Sequence, residues 1–232
     1  MKKCLLMLGL CVLLSLSTSA FAGMLCTTIA CLAPNDNINW GAQGYGAPGT
    51  SLVTPQSWVS TLGLYDGLVG VFGPTNFTLM QQSVTWNGNF DPGDYLIWNQ
   101  DIDNFVGNAG QIRLVFASGL PVYDAGAAIQ ADFYGPFEAT ICATSFTGVQ
   151  DCWNEAGVSN ANADSSAIII GVTEPWAIEL LDFYVVDVNG NNDEAIDTVY
   201  LSTSTVPEPG TLMLLGSGVL GLAGMLRRKI NL

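Results

Sequence analysis

Alternation of apolar and polar residues through the middle of the chain predicts a series of β-strands. In residues 112–116, for example, Arg113 stands between apolar neighbours. A strand repeats every two residues, whereas an amphipathic helix repeats about every 3.6 residues, and no run of ten or more residues between 23 and 205 has clear helical amphipathicity. The segments that we predict as strands are 77–80, 84–86, 112–116, 128–133, 139–144, 168–172, 178–188 and 198–201.

Turn-forming residues separate these segments and indicate the fold class. Within 128–133 we expect Ile129, Ala131 and Phe133 on one face, and the continuous apolar run 168–172 predicts a strand buried on both faces. Many short strands with frequent turns predict an all-β fold, an antiparallel two-sheet sandwich that is jelly-roll-like rather than a barrel. The turn signals are Asp91-Pro92-Gly93-Asp94, Asn108-Ala109-Gly110, Thr147-Gly148 and Asn189-Gly190-Asn191-Asn192.

The first 22 residues have the pattern of a signal peptide. A basic start is followed by an apolar run and by Ala20-Phe21-Ala22, which has the small-x-small pattern of a cleavage site. We therefore expect the mature chain to begin at Gly23. The alternative, lipid attachment at Cys26, is disfavoured because the large residue Leu25 directly precedes that cysteine.

The last 27 residues, 206–232, combine three features in a fixed order. Pro207-Glu208-Pro209 cannot continue a helix or a sheet and predicts an extended spacer. The uncharged apolar run 212–226 predicts a short transmembrane helix of roughly 23 Å, which spans if the bilayer thins or flanking residues snorkel. Arg227, Arg228 and Lys229 follow, and we expect them on the cytoplasmic side.

This order and spacing resemble the PEP-CTERM sorting signal of Gram-negative bacteria. The resemblance implies recognition near Pro207-Glu208-Pro209 by an exosortase, a membrane-embedded transpeptidase that removes the hydrophobic tail. It also implies an association with exopolysaccharide production and biofilm. The protein would be anchored in the membrane until processed and then found at the cell surface or in the extracellular matrix.

Two segments of the central region carry a second resemblance. Residues 86–94 and 127–137 are similar to segments shared by a group of uncharacterised PEP-CTERM ectodomains. That similarity implies a common fold and no particular activity.

The region between the two targeting segments, 23–205, is long enough for one domain with a sizeable core. It holds 19 of the 20 acids but only one of the six cations, Arg113, so its formal net charge is −18. Nucleic acid is excluded as a partner because phosphate binding needs lysine and arginine. An acidic polysaccharide would also be repelled unless a divalent cation lay between the two.

Four cysteines lie in this exported region, and an even number outside the cytoplasm favours disulfides. Proximity in sequence favours Cys26–Cys31 and Cys142–Cys152, and free thiols are the alternative. For Cys142–Cys152 we predict a hairpin centred on Thr147, with the loop Phe146-Thr147-Gly148 and the cysteines directly opposed as a non-hydrogen-bonded pair. A zinc site is disfavoured because the spacing is not CxxC and the chain has no histidine.

Catalysis has little support in the sequence. Without histidine, and without lysine in 23–205, neither a Ser-His-Asp nor a Ser-Lys mechanism can be assembled. Glycoside hydrolysis needs only two carboxylates, and glutamates and six tryptophans are present, but acids on a solvated surface and tryptophans in a core explain the same residues. We expect no enzymatic activity, with a glycosidase as the less favoured alternative.

Calcium is the cofactor that the acidic loops indicate, because carboxylate and amide oxygens on glycine-rich loops suit that ion. For the loop that contains Asp187 and Glu194, the competing interpretation is an ordinary hairpin turn, because its residues favour turns and its sequence departs from the EF-hand pattern. The candidate ligands are Asp91, Asp94, Asp101 and Asp103 in one loop and Asp187, Asn189, Asn191, Asp193 and Glu194 in another.

Three classes of function stay open. The favoured one is an exported surface or matrix protein with a structural or adhesive role linked to exopolysaccharide. A carbohydrate-binding module with an aromatic platform, with or without a requirement for calcium, is the second, and a glycosidase is the third.

Overall fold

The computed structural model describes residues 23–72, 76–99, 110–117, 119–190 and 193–203, together with residue 218. Strand is the dominant regular structure of residues 23–203, and the helices described within this range are the short α1 (Ile29–Leu32) and a 3₁₀ turn at Trp40–Ala42. The strands are β1 (Met24–Cys26), β2 (Asp36–Ile38), β3 (Thr50–Val53), β4 (Gln56–Val59), β5 (Asp66–Phe72), β6 (Asn76–Gln81), β7 (Tyr95–Asn99), β8 (Gln111–Phe116), β9 (Asp124–Ala131), β10 (Gly135–Ser145), β11 (Gln150–Ser159), β12 (Ile168–Thr173), β13 (Ile178–Asp187) and β14 (Glu194–Ser202).

The strands form two antiparallel sheets, as the alternating pattern predicts. The larger sheet has the order β1-β12-β9-β14-β7-β6-β3, with β2 added beside β14. The smaller sheet has the order β11-β10-β13-β8-β5-β4. From β7 onward, successive strands alternate between the sheets, except that the β10–β11 hairpin stays within the smaller one.

The main core lies between the two sheets. Ile129 of β9 comes from the larger sheet, Ile141 of β10 and Phe183 of β13 come from the smaller one, and all three belong to one buried cluster. Because neighbouring residues of a strand point to opposite faces, each inward-facing residue fills this space while the next one points away. The core is therefore the interior of a sandwich.

A second apolar cluster covers the outer face of the larger sheet. Met80, Leu96 and Ala195 belong to it, whereas their neighbours Leu79, Ile97 and Ile196 belong to the main core. Trp86 and Phe90 complete the cluster from the segment that connects β6 to β7. This segment therefore packs across the sheet instead of extending into solvent.

Six predicted strands are confirmed, at 77–80, 112–116, 139–144, 168–172, 178–188 and 198–201. The predicted strand at 84–86 is wrong. Its residues form a tight turn in which the backbone N–H groups of Val84, Thr85 and Trp86 all donate to the carbonyl oxygen of Gln81, at 3.1, 3.0 and 3.0 Å. A carbonyl that accepts three local donors holds the chain in a turn, and these donors are not free for a sheet.

Two finer expectations need correction. β9 ends at Ala131, so Phe133 does not continue the buried face of Ile129 and is 46% exposed. The backbone N–H of Asp132 donates to the carbonyl oxygen of Asp193, where the chain leaves the sheet. In β12, Ile170 to Val172 are buried, but Ile168 and Ile169 are half-buried, so burial on both faces applies to the centre of that strand only.

Candidate functional site

The two ends of the described domain lie in one row across the larger sheet. Met24 of β1 is opposite Thr173 of β12, Thr173 is opposite Asp124 of β9, and Asp124 is opposite Ser202 of β14. We call these four residues the exit row. Neighbouring strands are about 4.8 Å apart, so Met24 and Ser202 are roughly 14 Å apart. The predicted leader and the C-terminal segment are therefore attached at the same end of the domain.

Asp124 is the titratable member of the exit row. Its side chain is fully buried. Burial raises the pKa of its carboxyl group to about 6, although the hydroxyls of Thr173 and Ser202 favour the ionised form and lower it. The row thus holds an acid that changes its charge just below neutral pH.

A pair of carboxyl groups, Asp94 and Asp197, is the second site with perturbed chemistry. Asp94 directly precedes β7, and Asp197 lies in β14 where its register with β9 shifts between Ile196 and Val199. The irregularity frees Asp197 from the ladder, and its carboxyl group forms a hydrogen bond with that of Asp94. Burial, and then the negative charge of Asp94, raises the pKa of Asp197 to about 7.

The surroundings of this pair hold it in place. The indole Nε1 of Trp40 donates to the backbone oxygen of Asp197 at 2.9 Å, and the Thr198 hydroxyl donates to Asp197 Oδ1 at 3.2 Å. Burial raises the pKa of Asp94, and the nearby Asp91 carboxylate raises it further, while the hydrogen bond from Asp197 lowers it. Two carboxyl groups this close share one proton at mildly acidic pH, so the pair binds and releases a proton near neutrality.

The first predicted calcium loop is described only in part. Asp91 and Asp94 belong to one turn, in which the Asp94 N–H donates to the Asp91 carbonyl oxygen at 3.1 Å. The Ser165 hydroxyl donates to the Asp91 carboxylate. Asp101 and Asp103 lie outside the described residues.

The second predicted loop has the geometry of a turn at the end of β13. Asp187 Oδ1 accepts from the Asn189 N–H at 2.7 Å, and the Gly190 N–H donates to the Asp187 carbonyl oxygen at 3.0 Å. Asn191 lies outside the described residues, Asp193 directly precedes β14 and Glu194 is its first residue. Nowhere in the described ranges do three or more histidine, cysteine, aspartate or glutamate side chains converge on a possible metal site. Calcium binding therefore stays a prediction.

The tryptophans do not form an exposed platform. Trp40, Trp58 and Trp86 are buried, and the other three are half-buried and packed against the two apolar clusters. Trp86 and Trp98 contact each other edge to face with ring centroids 5.6 Å apart. Stacking on sugar rings requires an accessible ring face, so these side chains serve packing.

Both predicted disulfides are confirmed. Cys26–Cys31 joins β1 to α1 with Cα atoms 5.5 Å apart, and Cys142–Cys152 joins β10 to β11 with Cα atoms 4.1 Å apart. Cys142 and Cys152 are directly opposed in the hairpin register. The Ser145 N–H donates to the Val149 carbonyl oxygen at 2.8 Å, which closes the predicted three-residue loop. Gly148 has φ 81°, the left-handed conformation expected at that position.

Sequence reasoning missed Asp124 and Asp197 as perturbed acids. Each lies in a strand among mostly apolar residues, and an acid in such a segment could have indicated a buried carboxyl group. What the pattern could not supply is the partner, because Asp94 is about a hundred residues away from Asp197 in the chain.

The PEP-CTERM protein-sorting motif family matches residues 205–229. The match confirms the resemblance based on Pro207-Glu208-Pro209, the apolar run and the basic residues Arg227, Arg228 and Lys229, and it implies an exported protein that an exosortase sorts and processes. No curated protein and no solved structure matches the chain significantly. Within the described residues no helix has both the length and the apolar character needed to cross a membrane. The predicted leader and the predicted transmembrane helix lie outside those residues, apart from residue 218.

Proposed function

We propose that this protein is a structural or adhesive component of the cell surface or extracellular matrix of a Gram-negative bacterium, linked to exopolysaccharide. A signal peptide of residues 1–22 directs its export, and the C-terminal helix holds it in the membrane until an exosortase removes the tail. The observation that carries the proposal is the sorting motif at 205–229. The exosortase is the partner that this motif specifies.

Three features of the domain support this proposal. Both targeting segments connect to the domain at the exit row, so that end of the domain would lie towards the membrane before processing. Two disulfides suit an oxidising compartment. The strand order β12-β9-β14-β7 opposite β11-β10-β13-β8 supports a jelly roll. Further strands extend its sheets, β1 beyond β12, β6 and β3 beyond β7, and β5 and β4 beyond β8.

The proposal includes no catalytic activity. Residues 23–205 contain neither histidine nor lysine, and the buried or half-buried tryptophans give no support to an aromatic sugar platform. A structural or adhesive role requires a stable, charged surface and no reacting groups. The net charge of −18 over this region keeps such a domain soluble at high local concentration.

The test is the mass of the protein released from the surface. The full chain is expressed in a host with an exosortase and in the same host without that enzyme. We expect the released protein to lack the residues beyond Pro207-Glu208-Pro209 in the first host, and Glu208→Ala to keep them. Thr211→Ala, which leaves Pro207-Glu208-Pro209 intact, is the matched control and should be processed normally. A released wild-type protein that still contains residues 212–232 would contradict processing.

A further inference from the structure

Glu174 is a buried carboxylate that directly follows β12. Its side chain is 1% exposed, and within the described residues neither Oε1 nor Oε2 has a hydrogen-bond partner. Burial, and then the negative charge of Asp151, raises the pKa of Glu174 to about 8. A buried carboxylate without a partner destabilises the folded state unless it takes up a proton or a cation pairs with it.

Gly23 lies directly against this carboxylate. In the β1–β12 ladder Met24 is opposite Thr173 and Leu25 is opposite Val172, so the same register places Gly23 opposite Glu174. A Cβ atom built on Gly23 would lie 2.5 Å from both Oε1 and Oε2 of Glu174. Only glycine leaves room for a carboxylate this close to the backbone.

Gly23 is also the residue that follows the predicted cleavage site, Ala20-Phe21-Ala22. Hydrolysis of the Ala22–Gly23 peptide bond consumes one water, leaves a carboxylate on Ala22 and frees an amine on Gly23. An α-amine has an ordinary pKa of about 7.7–8.0 and takes up a proton at neutral pH. A positive charge therefore arises on the residue that lies against Glu174.

We propose that removal of the leader creates the partner of Glu174: the new α-ammonium group of Gly23 forms a buried ion pair with this carboxylate and fixes β1 to the edge of the larger sheet. This inference rests on the proposed function, because it requires export and cleavage after Ala22. Before cleavage the Gly23 nitrogen is a neutral amide and cannot neutralise the acid.

Both partners are held in position by the rest of the fold. The Cys26–Cys31 disulfide fixes β1 three residues after Gly23, and the Glu174 N–H donates to the Tyr123 carbonyl oxygen at 2.8 Å. Asp151 is the other charged group that acts on Glu174, and its negative charge favours a cation at the site. Two groups that the fold already positions lose little further conformational freedom when they pair.

The sequence supplies no competing cation for this site. Between residues 23 and 226 the only lysine or arginine is Arg113, whose Nε lies 2.6 Å from Asp182 Oδ1 in the smaller sheet. The α-ammonium of Gly23 would therefore be the second positive charge of the mature domain. Cleavage at another position would place the amine on a residue other than the one that lies against Glu174.

The experiment titrates the α-amine of the exported protein. The full chain with its leader is expressed in an exporting host, and intact mass identifies the first residue. Reductive methylation with ¹³C-formaldehyde labels Gly23 alone if the tail is removed, because Lys229 is the only lysine beyond the leader. We expect an apparent pKa for the Gly23 amine at least one unit above the ordinary 7.7–8.0. Acetylation at pH 7 should then be at least about tenfold slower than in Glu174→Gln.

Glu179→Gln removes the same charge from β13, the next strand in the chain but part of the smaller sheet, and is the matched control; it should leave the amine pKa unchanged. If Glu174→Gln does not fold, the titration of the wild-type protein alone decides. A chain that begins at Gly23 with an ordinary amine pKa would overturn the ion pair and leave export intact. A chain that begins elsewhere would overturn both this inference and the cleavage that the proposed function includes.

Discussion

Asn89 joins three parts of the chain on the outer face of the larger sheet. Its Nδ2 donates to the Val158 carbonyl oxygen at 2.9 Å and to the Ser166 hydroxyl at 2.8 Å, and its Oδ1 accepts from the Asn160 N–H at 2.6 Å. The backbone N–H of Asn89 in turn donates to Gln130 Oε1 at 2.6 Å. These bonds hold the segment that covers the second apolar cluster.

We expect Asn89→Ala to lower the free energy of unfolding by about 1.5–3 kcal/mol. The side chain is 1% exposed, and the substitution removes all three of its hydrogen bonds at once. Urea unfolding measures the change. Asn87→Ala, in the same segment but exposed, should change stability by less than about 0.5 kcal/mol. Equal effects of the two substitutions would contradict this role of Asn89.

The sequence connected residues 86–94 and 127–137 only through a resemblance to other proteins. The structure shows that the two segments contact each other. The Asn89–Gln130 bond connects the two segments, and the Tyr134 hydroxyl donates to the Asn87 carbonyl oxygen at 2.7 Å. Composition could not reveal this contact, because the two segments are about 40 residues apart and neither has a periodic pattern that requires the other. The connection shows that the two segments pack as one unit in this chain.

At the scale of elements, the β10–β11 hairpin was predictable in most of its details. Two opposed residues of an antiparallel hairpin have a constant index sum, so Cys142 and Cys152 fix both the register and the loop. The small glycine-containing loop and the alternation of residues 139–144 agree with that register. Local sequence determines this element because its two strands are adjacent in the chain.

We expect the double substitution Cys142→Ala and Cys152→Ala to lower the free energy of unfolding by about 2–3 kcal/mol. A bridge that closes a loop of about ten residues restricts the unfolded chain by this amount in the chain-entropy model. The control is Thr144→Ala with Gln150→Ala, the next pair on the same face, which loses one exposed hydrogen bond of 3.1 Å and should cost less than about 0.5 kcal/mol. A peptide that links Cys142 to Cys26 or Cys31 without reduction would show that the predicted bridge is wrong.

Other elements could not be predicted from local pattern. β5 (Asp66–Phe72) contains two glycines, and β1 and β2 have three residues each, too few to show a period. These strands exist because a neighbouring strand offers hydrogen bonds, as β12 does for β1 and β14 does for β2. The opposite error occurred at 84–86, where β-forming residues lie in a turn because the Gln81 carbonyl oxygen accepts their N–H groups.

For the molecule as a whole, the unusual property is the number of acids that burial makes harder to ionise. Burial raises the pKa of Asp124 to about 6 and, with the charge of Asp94, that of Asp197 to about 7. Glu194 is fully buried, and desolvation raises its pKa well above the ordinary value. Asp36 is an exception. Burial raises its pKa, but hydrogen bonds from Ser60, Leu62, Asn37 and Leu64 outweigh that effect and lower it below the ordinary value.

These shifts determine how stability depends on pH. An unfolded aspartate releases its proton near pH 3.9, whereas folded Asp124 and Asp197 keep theirs to about pH 6 and about pH 7. Between those values the folded state binds more protons than the unfolded state, so stability is greatest at the acidic side and falls as pH rises. Each proton retained in excess contributes a slope of about 1.4 kcal/mol per pH unit.

We therefore expect the free energy of unfolding to fall from pH 5 to pH 7, opposite to the usual acid denaturation of proteins with salt-bridged carboxylates. Asp197→Asn should flatten this fall, because an amide keeps a hydrogen-bond donor towards Asp94 at every pH and has no proton to release. Asp66→Asn, at an exposed position, removes one acid without touching the pair and should keep the wild-type slope. Urea unfolding at constant ionic strength across this range measures all three proteins. A wild-type stability that rises from pH 5 to pH 7, or an Asp197→Asn slope equal to that of Asp66→Asn, would show that the Asp94–Asp197 pair does not retain a proton in the folded protein.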